Sequence, residues 1–119
     1  MNTEFRFEEL RVYQESVRLS SDLFSVTSTW PPIYKYNLAD QLNRAGLSIS
    51  LNIAEGSSRT TQDFKHFLSI SRGSCYECIP ILMIAKEKGL INPTKYENFR
   101  TRIMDISKMI SSLRSKITK

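Results

Sequence analysis

No stretch of this chain is apolar for the 18 or so residues that a helix needs to cross a bilayer, so no membrane span is expected. The opening residues, Met1-Asn-Thr-Glu-Phe-Arg-Phe-Glu-Glu, lack the basic-then-apolar layout of a secretory signal. A soluble, cytoplasmic protein is the expectation. Glycine and proline are scarce, at four each, which leaves little material for turns and favours long regular elements. No segment sustains period-2 alternation, so strands are not expected. A glycine-rich phosphate loop, a Walker motif and a paired-carboxylate metal signature are all missing. Cys75 and Cys78 form a Cys-x-x-Cys, but a structural zinc site needs four ligands. His66 is the only histidine, and its neighbours Asp63 and Lys65 suggest a surface position. A thioredoxin-like role would need a strand–helix–strand context that the pattern does not offer. No cofactor and no metal are expected, and the two thiols read as core residues.

What the chain does have is an ordinary globular balance, 40% hydrophobic and 24% charged, which argues against disorder. Its 119 residues suit one domain, residues 1–119, with its own core and no room for a second. The net charge of +5 is unevenly placed. Over residues 1–28, Arg6, Arg11 and Arg18 face Glu4, Glu8, Glu9, Glu15 and Asp22, a net of −2. Over residues 90–119, Lys95, Arg100, Arg102, Lys108, Arg114, Lys116 and Lys119 face Glu97 and Asp105, a net of +5. Such asymmetry hints at a polyanionic partner; the competing reading is a solvated helix face that keeps the protein soluble.

Punctuation divides the chain into four helices, at roughly 7–28, 37–55, 61–88 and 93–118. The first should end before Thr29-Trp30-Pro31-Pro32, because proline cannot continue a helix. Asn37 is a good N-cap for the second, which stops at Gly56. Thr60 with Asp63 resembles a capping box for the third, and Gly89-Leu90 a Schellman stop; Pro80 inside it suggests a kink. Asn92-Pro93 opens the fourth, whose Phe99, Ile103, Ile106, Ile110, Leu113 and Ile117 keep a strict 4-3-4-3-4 spacing. The expectation is an all-α, antiparallel up-down-up-down four-helix bundle.

The second helix carries the most information. At 100° per residue, Gln41, Arg44, Ser48, Asn52 and Glu55 fall within an arc of roughly 80°. Leu38, Leu42, Ala45, Ile49 and Ile53 flank that arc on one side; Leu47, Leu51 and Ala54 flank it on the other. Two apolar strips imply burial in two directions, and hence contact with other subunits. The first and third helices are doubled likewise, the third by Phe67, Ile70, Ser74, Glu77, Ile81 and Ile84. Glu77 and Arg44, each between apolar neighbours, are expected to meet as a partly buried pair that fixes register, braced by Gln41, Ser48, Asn52 and Ser74.

The segment Leu38-Ala-Asp-Gln-Leu-Asn-Arg-Ala-Gly-Leu-Ser-Ile-Ser-Leu-Asn-Ile-Ala-Glu-Gly56 resembles the hallmark of the four-helix-bundle proteins encoded in 23S rRNA intervening sequences. Phe64-Lys-His-Phe-Leu-Ser-Ile-Ser-Arg-Gly-Ser-Cys-Tyr-Glu77 is similar to the second hallmark of that family. The resemblance extends over nearly the whole chain. It implies a ring-like homopentamer, similar in fold to the basic, nucleic-acid-binding accessory protein of diversity-generating retroelements, and no established biochemical activity. Gln41, Arg44, Ser48, Asn52, Glu55, Ser74 and Glu77 match the polar positions of the motifs. Gly46 stands where a larger residue is common, and Ser71 and Cys75 stand where alanine is usual.

The candidate nucleic-acid contacts are Arg59, Lys65 and Arg72 of the third helix region with Lys95, Arg100, Arg102, Lys108, Arg114 and Lys116 of the fourth. Binding through them would be to phosphates, salt-sensitive and weakly sequence-selective. Exposed aromatics for base stacking are not evident, which counts against a dedicated single-strand reader. One arginine and one carboxylate, without a nucleophile or positioned base, make no catalytic constellation, so no enzyme is expected. Two partner classes remain open beside self-association: RNA or DNA, and a protein recruited to a ring-shaped scaffold.

Overall fold

In a computed structural model, residues 4–117 are described. Four helices, α1 (Arg11–Thr27), α2 (Asp40–Ser57), α3 (Thr61–Glu87) and α4 (Pro93–Lys116), pack side by side, and no strand occurs among these residues. Their ends follow local chemistry. The Thr27, Ser28 and Thr29 hydroxyls donate to the carbonyls of Phe24, Ser25 and Val26 at the end of α1, where Phe24 and Val26 also accept from the Ser28 and Thr29 N–H groups. The Thr60 hydroxyl accepts from the Asp63 N–H at 3.2 Å to start α3. Gly89, at φ +75°, closes it: the Leu90 N–H reaches the Ala85 carbonyl at 2.9 Å and the Gly89 N–H the Lys86 carbonyl at 3.0 Å. Asn92 accepts from the Lys95 N–H at 2.7 Å and caps α4, with Pro93 in its first turn.

Two boundaries differ from the sequence reading. The first helix begins at Arg11, because Leu10 is extended (ψ 126°) and separates it from a 3-10 turn over Arg6–Glu9. The second is entered through a 3-10 turn (Pro32–Tyr34) and a π turn (Lys35–Ala39), so the backbone is already helical at Asn37. Asn37 therefore does not cap: its side chain donates to the Ile33 carbonyl and accepts from the neighbouring Leu38 N–H. The end of the fourth helix expected at residue 118, and the charge of Lys119, lie outside the described residues. Pro80 sits exposed within α3, and the helix runs unbroken through it. Contrary to the expectation that nothing could span a bilayer, α3 is long and apolar enough to do so. Its apolar seam is instead packed into the bundle core.

Cross-helix contacts fix the direction of every pair. Thr27 bonds Asn43 and Leu23 faces Gly46, so α1 and α2 run antiparallel. Ser71 donates to the Ile49 carbonyl at 2.8 Å and Gly56 lies against Phe64 and Phe67, which does the same for α2 and α3. Arg114 donates to the Lys65 carbonyl, while Lys86 lies over Tyr96, aligning α3 and α4 head to tail. Arg102 and Asp22 pair at 2.9 Å and close the bundle between α4 and α1. The core is the set of seams read from the spacing: Leu19, Leu23, Leu42, Ile49, Ile53, Leu68, Cys75, Cys78, Leu82 and Ile110 are fully buried.

The second apolar strips are only partly absorbed by this core: Ser74 and Ile81 of the α3 strip are buried, and Leu10 and Tyr13 of the α1 strip pack against it. Val17 and Phe24 of α1, Leu47 and Leu51 of α2, and Ile70 and Ile84 of α3 remain about 40–56% exposed. One chain thus satisfies only part of the doubled pattern.

Candidate nucleic-acid interface

The polar arc of α2 meets α3 through small side chains. Ser74 donates to the Ser48 hydroxyl at 2.9 Å, and Asn52 donates to the same hydroxyl at 2.9 Å. Gln41, Arg44, Ser48 and Glu77 line one open groove of about 610 Å³ beside Pro80. The buried Arg44–Glu77 pair expected from the sequence does not form within the chain. Arg44 lies on the outer side of α2, 78% exposed, and reaches Asp40 one turn back at 3.1 Å. A neighbour at i−4 is within reach on the same helix, and Arg44 takes that local partner. Glu55 likewise turns to Arg59, and its carboxylate raises the Arg59 pKa further, chiefly through their hydrogen bond.

The nine basic candidates fall into separate groups. Arg59 is held by Glu55 and covers Phe67. Arg102 is held by Asp22 and covers Phe99. Lys95 opens onto a groove of about 480 Å³ of mixed lining beside α1 and α4, and Lys108 and Lys116 are exposed. The remaining four, Lys65 and Arg72 of α3 with Arg100 and Arg114 of α4, flank the valley between these antiparallel helices. Among the described residues none of these four is paired with a carboxylate. Lys65 and Tyr76 are 11 positions apart, so the stretch between them covers roughly 16 Å at 1.5 Å per residue.

Sequence reasoning missed the aromatics. Tyr36 is 83% and Tyr76 59% exposed. Tyr76 stands on the α3 side of the basic valley, its hydroxyl accepting from Arg72 at 3.0 Å and its ring 5.0 Å from that guanidinium. The signal was present as Arg72-x-x-x-Tyr76, an i,i+4 pair on the helix surface. What hid it was proximity to the seam: Tyr76 follows the fully buried Cys75, and spacing alone does not say how wide the buried stripe is.

His66 is exposed beside Phe67, in line with the surface position read for it. Cys75 and Cys78 are free thiols with no exposed surface. Burial pushes both up to about 12 from an ordinary 9.0; Arg72 partly opposes this at Cys75, while Cys75 and Glu77 add to it at Cys78. A thiol kept neutral by folding stabilises the native state fully below about pH 9, and that contribution is lost as pH rises toward 12. Two results are expected: both thiols resist alkylation at pH 8 until denaturant is added, and a Cys75→Ala/Cys78→Ala variant loses less stability between pH 9 and 11 than the parent. Mass-resolved alkylation and urea titration across that range check both.

Four antiparallel helices with small-residue contacts between α2 and α3, and a basic valley between α3 and α4, define an all-α bundle protein. The family model of the 23S rRNA-intervening sequence protein matches residues 8–112, and the chain belongs to that family. The bundle is also similar to the crystal structure of a protein of unknown function from the S23 ribosomal protein family of Bacteroides thetaiotaomicron VPI-5482. That likeness has a TM-score of 0.81 at 21% identity and covers 88% of this chain and 96% of the other, which speaks for the fold. No curated protein matches the chain.

Proposed function

We propose that this is a non-enzymatic, cytoplasmic, homo-oligomeric adaptor, pentameric by family resemblance, that binds RNA or other nucleic acid through phosphate contacts. The observation that carries the reading is the α3/α4 valley, where Lys65, Arg72, Arg100 and Arg114 gather without a carboxylate partner among the described residues. Cations that neutralise phosphates release the counterions condensed on the nucleic acid, which favours binding at low salt. Repeated around a symmetric assembly, four charges per chain become an extended positive surface. The open strips Val17/Phe24, Leu47/Leu51 and Ile70/Ile84 supply apolar surface for self-association. Those same strips favour the second reading, a scaffold that recruits a protein partner without touching nucleic acid.

The test is titration of labelled structured RNA and random-sequence single-stranded DNA at about 50 and 200 mM salt, with mass recorded on the same sample. Binding is expected to weaken steeply with salt. A Lys65→Gln/Arg72→Gln/Arg100→Gln variant should bind about ten-fold more weakly or worse, with its assembly unchanged. Absence of binding at low salt would reject the adaptor and leave the scaffold.

A further inference from the structure

We propose that the α3/α4 valley holds an unpaired nucleobase against Tyr76, so that the preferred ligand is a single-stranded segment of nucleic acid. This rests on the phosphate-binding reading above and goes beyond it by naming the form of the ligand. Between the two helices lies a groove of about 450 Å³, lined by Tyr76, Pro80, Arg100, Ile103, Met104 and Ser107 among others. Its lining is mostly apolar; apart from the Tyr76 hydroxyl and a buried thiol its polar side chains are Arg100 and Ser107, and no carboxylate lines it. That composition suits a flat, weakly polar ring attached to an anionic backbone. A peptide carrying acidic residues would find the same charge but no reason for the aromatic platform.

Tyr76 is presented as such a platform. Arg72, one turn back, both stacks on the ring and donates to its hydroxyl, which fixes the ring while leaving it more than half exposed. A guanidinium, a tyrosine ring and a base form a stack that accepts any base, because every base has a π-face. The phosphates on either side of that base would then run along the valley toward Arg100 in one direction and toward Lys65 and Arg114 in the other. Bases inside a duplex are already stacked and show only their edges, so duplex could use the cations but not the ring.

The experiment compares three labelled oligonucleotides of equal length on the full-length protein: a mixed-sequence single strand, the same strand with central abasic sites, and its duplex. Anisotropy at low salt is recorded for the parent, Tyr76→Ala and Tyr76→Phe, each checked for helicity and mass. The expected result is that the parent prefers the single strand to both other ligands. Tyr76→Ala should weaken single-strand binding about ten-fold, leaving the abasic and duplex ligands within about two-fold, while Tyr76→Phe stays close to the parent. Equal affinity for all three ligands, or an equal loss on all three in Tyr76→Ala, would overturn the stacking proposal and leave phosphate binding standing. No binding of any ligand would overturn both.

Discussion

Gly56→Ala is expected to destabilise the folded chain by about 3 kcal/mol, lowering the melting temperature by roughly 10 °C. A methyl group at this position would lie 2.6 Å from the Phe67 Cβ, 3.0 Å from Phe64 Cδ1 and 3.3 Å from Phe67 Cγ. The nearest of these atoms cannot step aside, because a Cβ moves only with its backbone. Nor can the helices splay freely: α2 ends at Ser57 and α3 begins at Thr61, with the Thr60 cap between them. The strain must be absorbed by shifting the α2/α3 crossing that also carries the Ser71–Ile49 and Ser74–Ser48 bonds. Gly73→Ala is the control. Nothing lies within 4 Å of its added carbon, and this mid-helix exposed site should gain about 0.5–1 kcal/mol from the lower entropy of the unfolded chain. Urea titrations at one fixed chain concentration compare the two, and a neutral Gly56→Ala would show that the crossing is looser than the structure has it.

Leu23→Ala should cost about 3 kcal/mol, since a fully buried isobutyl group is removed from the centre of the core. The more telling result concerns its neighbour. A Cβ on Gly46 would come within 2.7 Å of Leu23 Cδ1, the far end of a side chain that can turn aside. Gly46→Ala alone is therefore expected to be mildly destabilising, by about 1 kcal/mol, its overpacking partly offset by the better helix propensity of alanine. In the Leu23→Ala background the new methyl enters vacated space and should stabilise by about 1 kcal/mol. The double-mutant cycle then gives a coupling of about 2 kcal/mol. Additivity within about 0.5 kcal/mol would mean that the two positions do not share one space. Leu23 fills the room beside Gly46 that a larger side chain at position 46 would take.

Much of the bundle was legible in the chain because helix ends and faces are local properties. Thr60, Gly89, Asn92 and Pro93 act within a few residues of themselves, and each does in the structure what its type and position require. The seam of α4 is equally local: Phe99, Ile103, Ile106 and Ile110 are buried as their spacing dictates. The entry to α2 was misread because Asn37 has the right side chain for a cap, while Pro32 had already started a turn that winds the backbone before it. The candidate interface was legible as a list of cations and illegible as a place. Arg102 and Asp22 lie in the last and first helices, so their pairing, which removes Arg102 from the unpaired set, depends on α4 returning beside α1.

The sequence by itself determined that four helices form, where most of them stop and which residues make their apolar strips, because hydrogen-bond closure and the 3.6-residue repeat act along one chain segment at a time. The tertiary structure decided which charges are neutralised, which second apolar strips stay open and that Tyr76 faces a groove. Those outcomes depend on the register of antiparallel neighbours, set by Gly46 against Leu23, Gly56 against Phe67 and Arg114 against Lys65. A one-turn slip of α4 along α3 would leave every helix intact and take Arg100 and Met104 away from Tyr76, since helical periodicity fixes a face but not its height beside a neighbour.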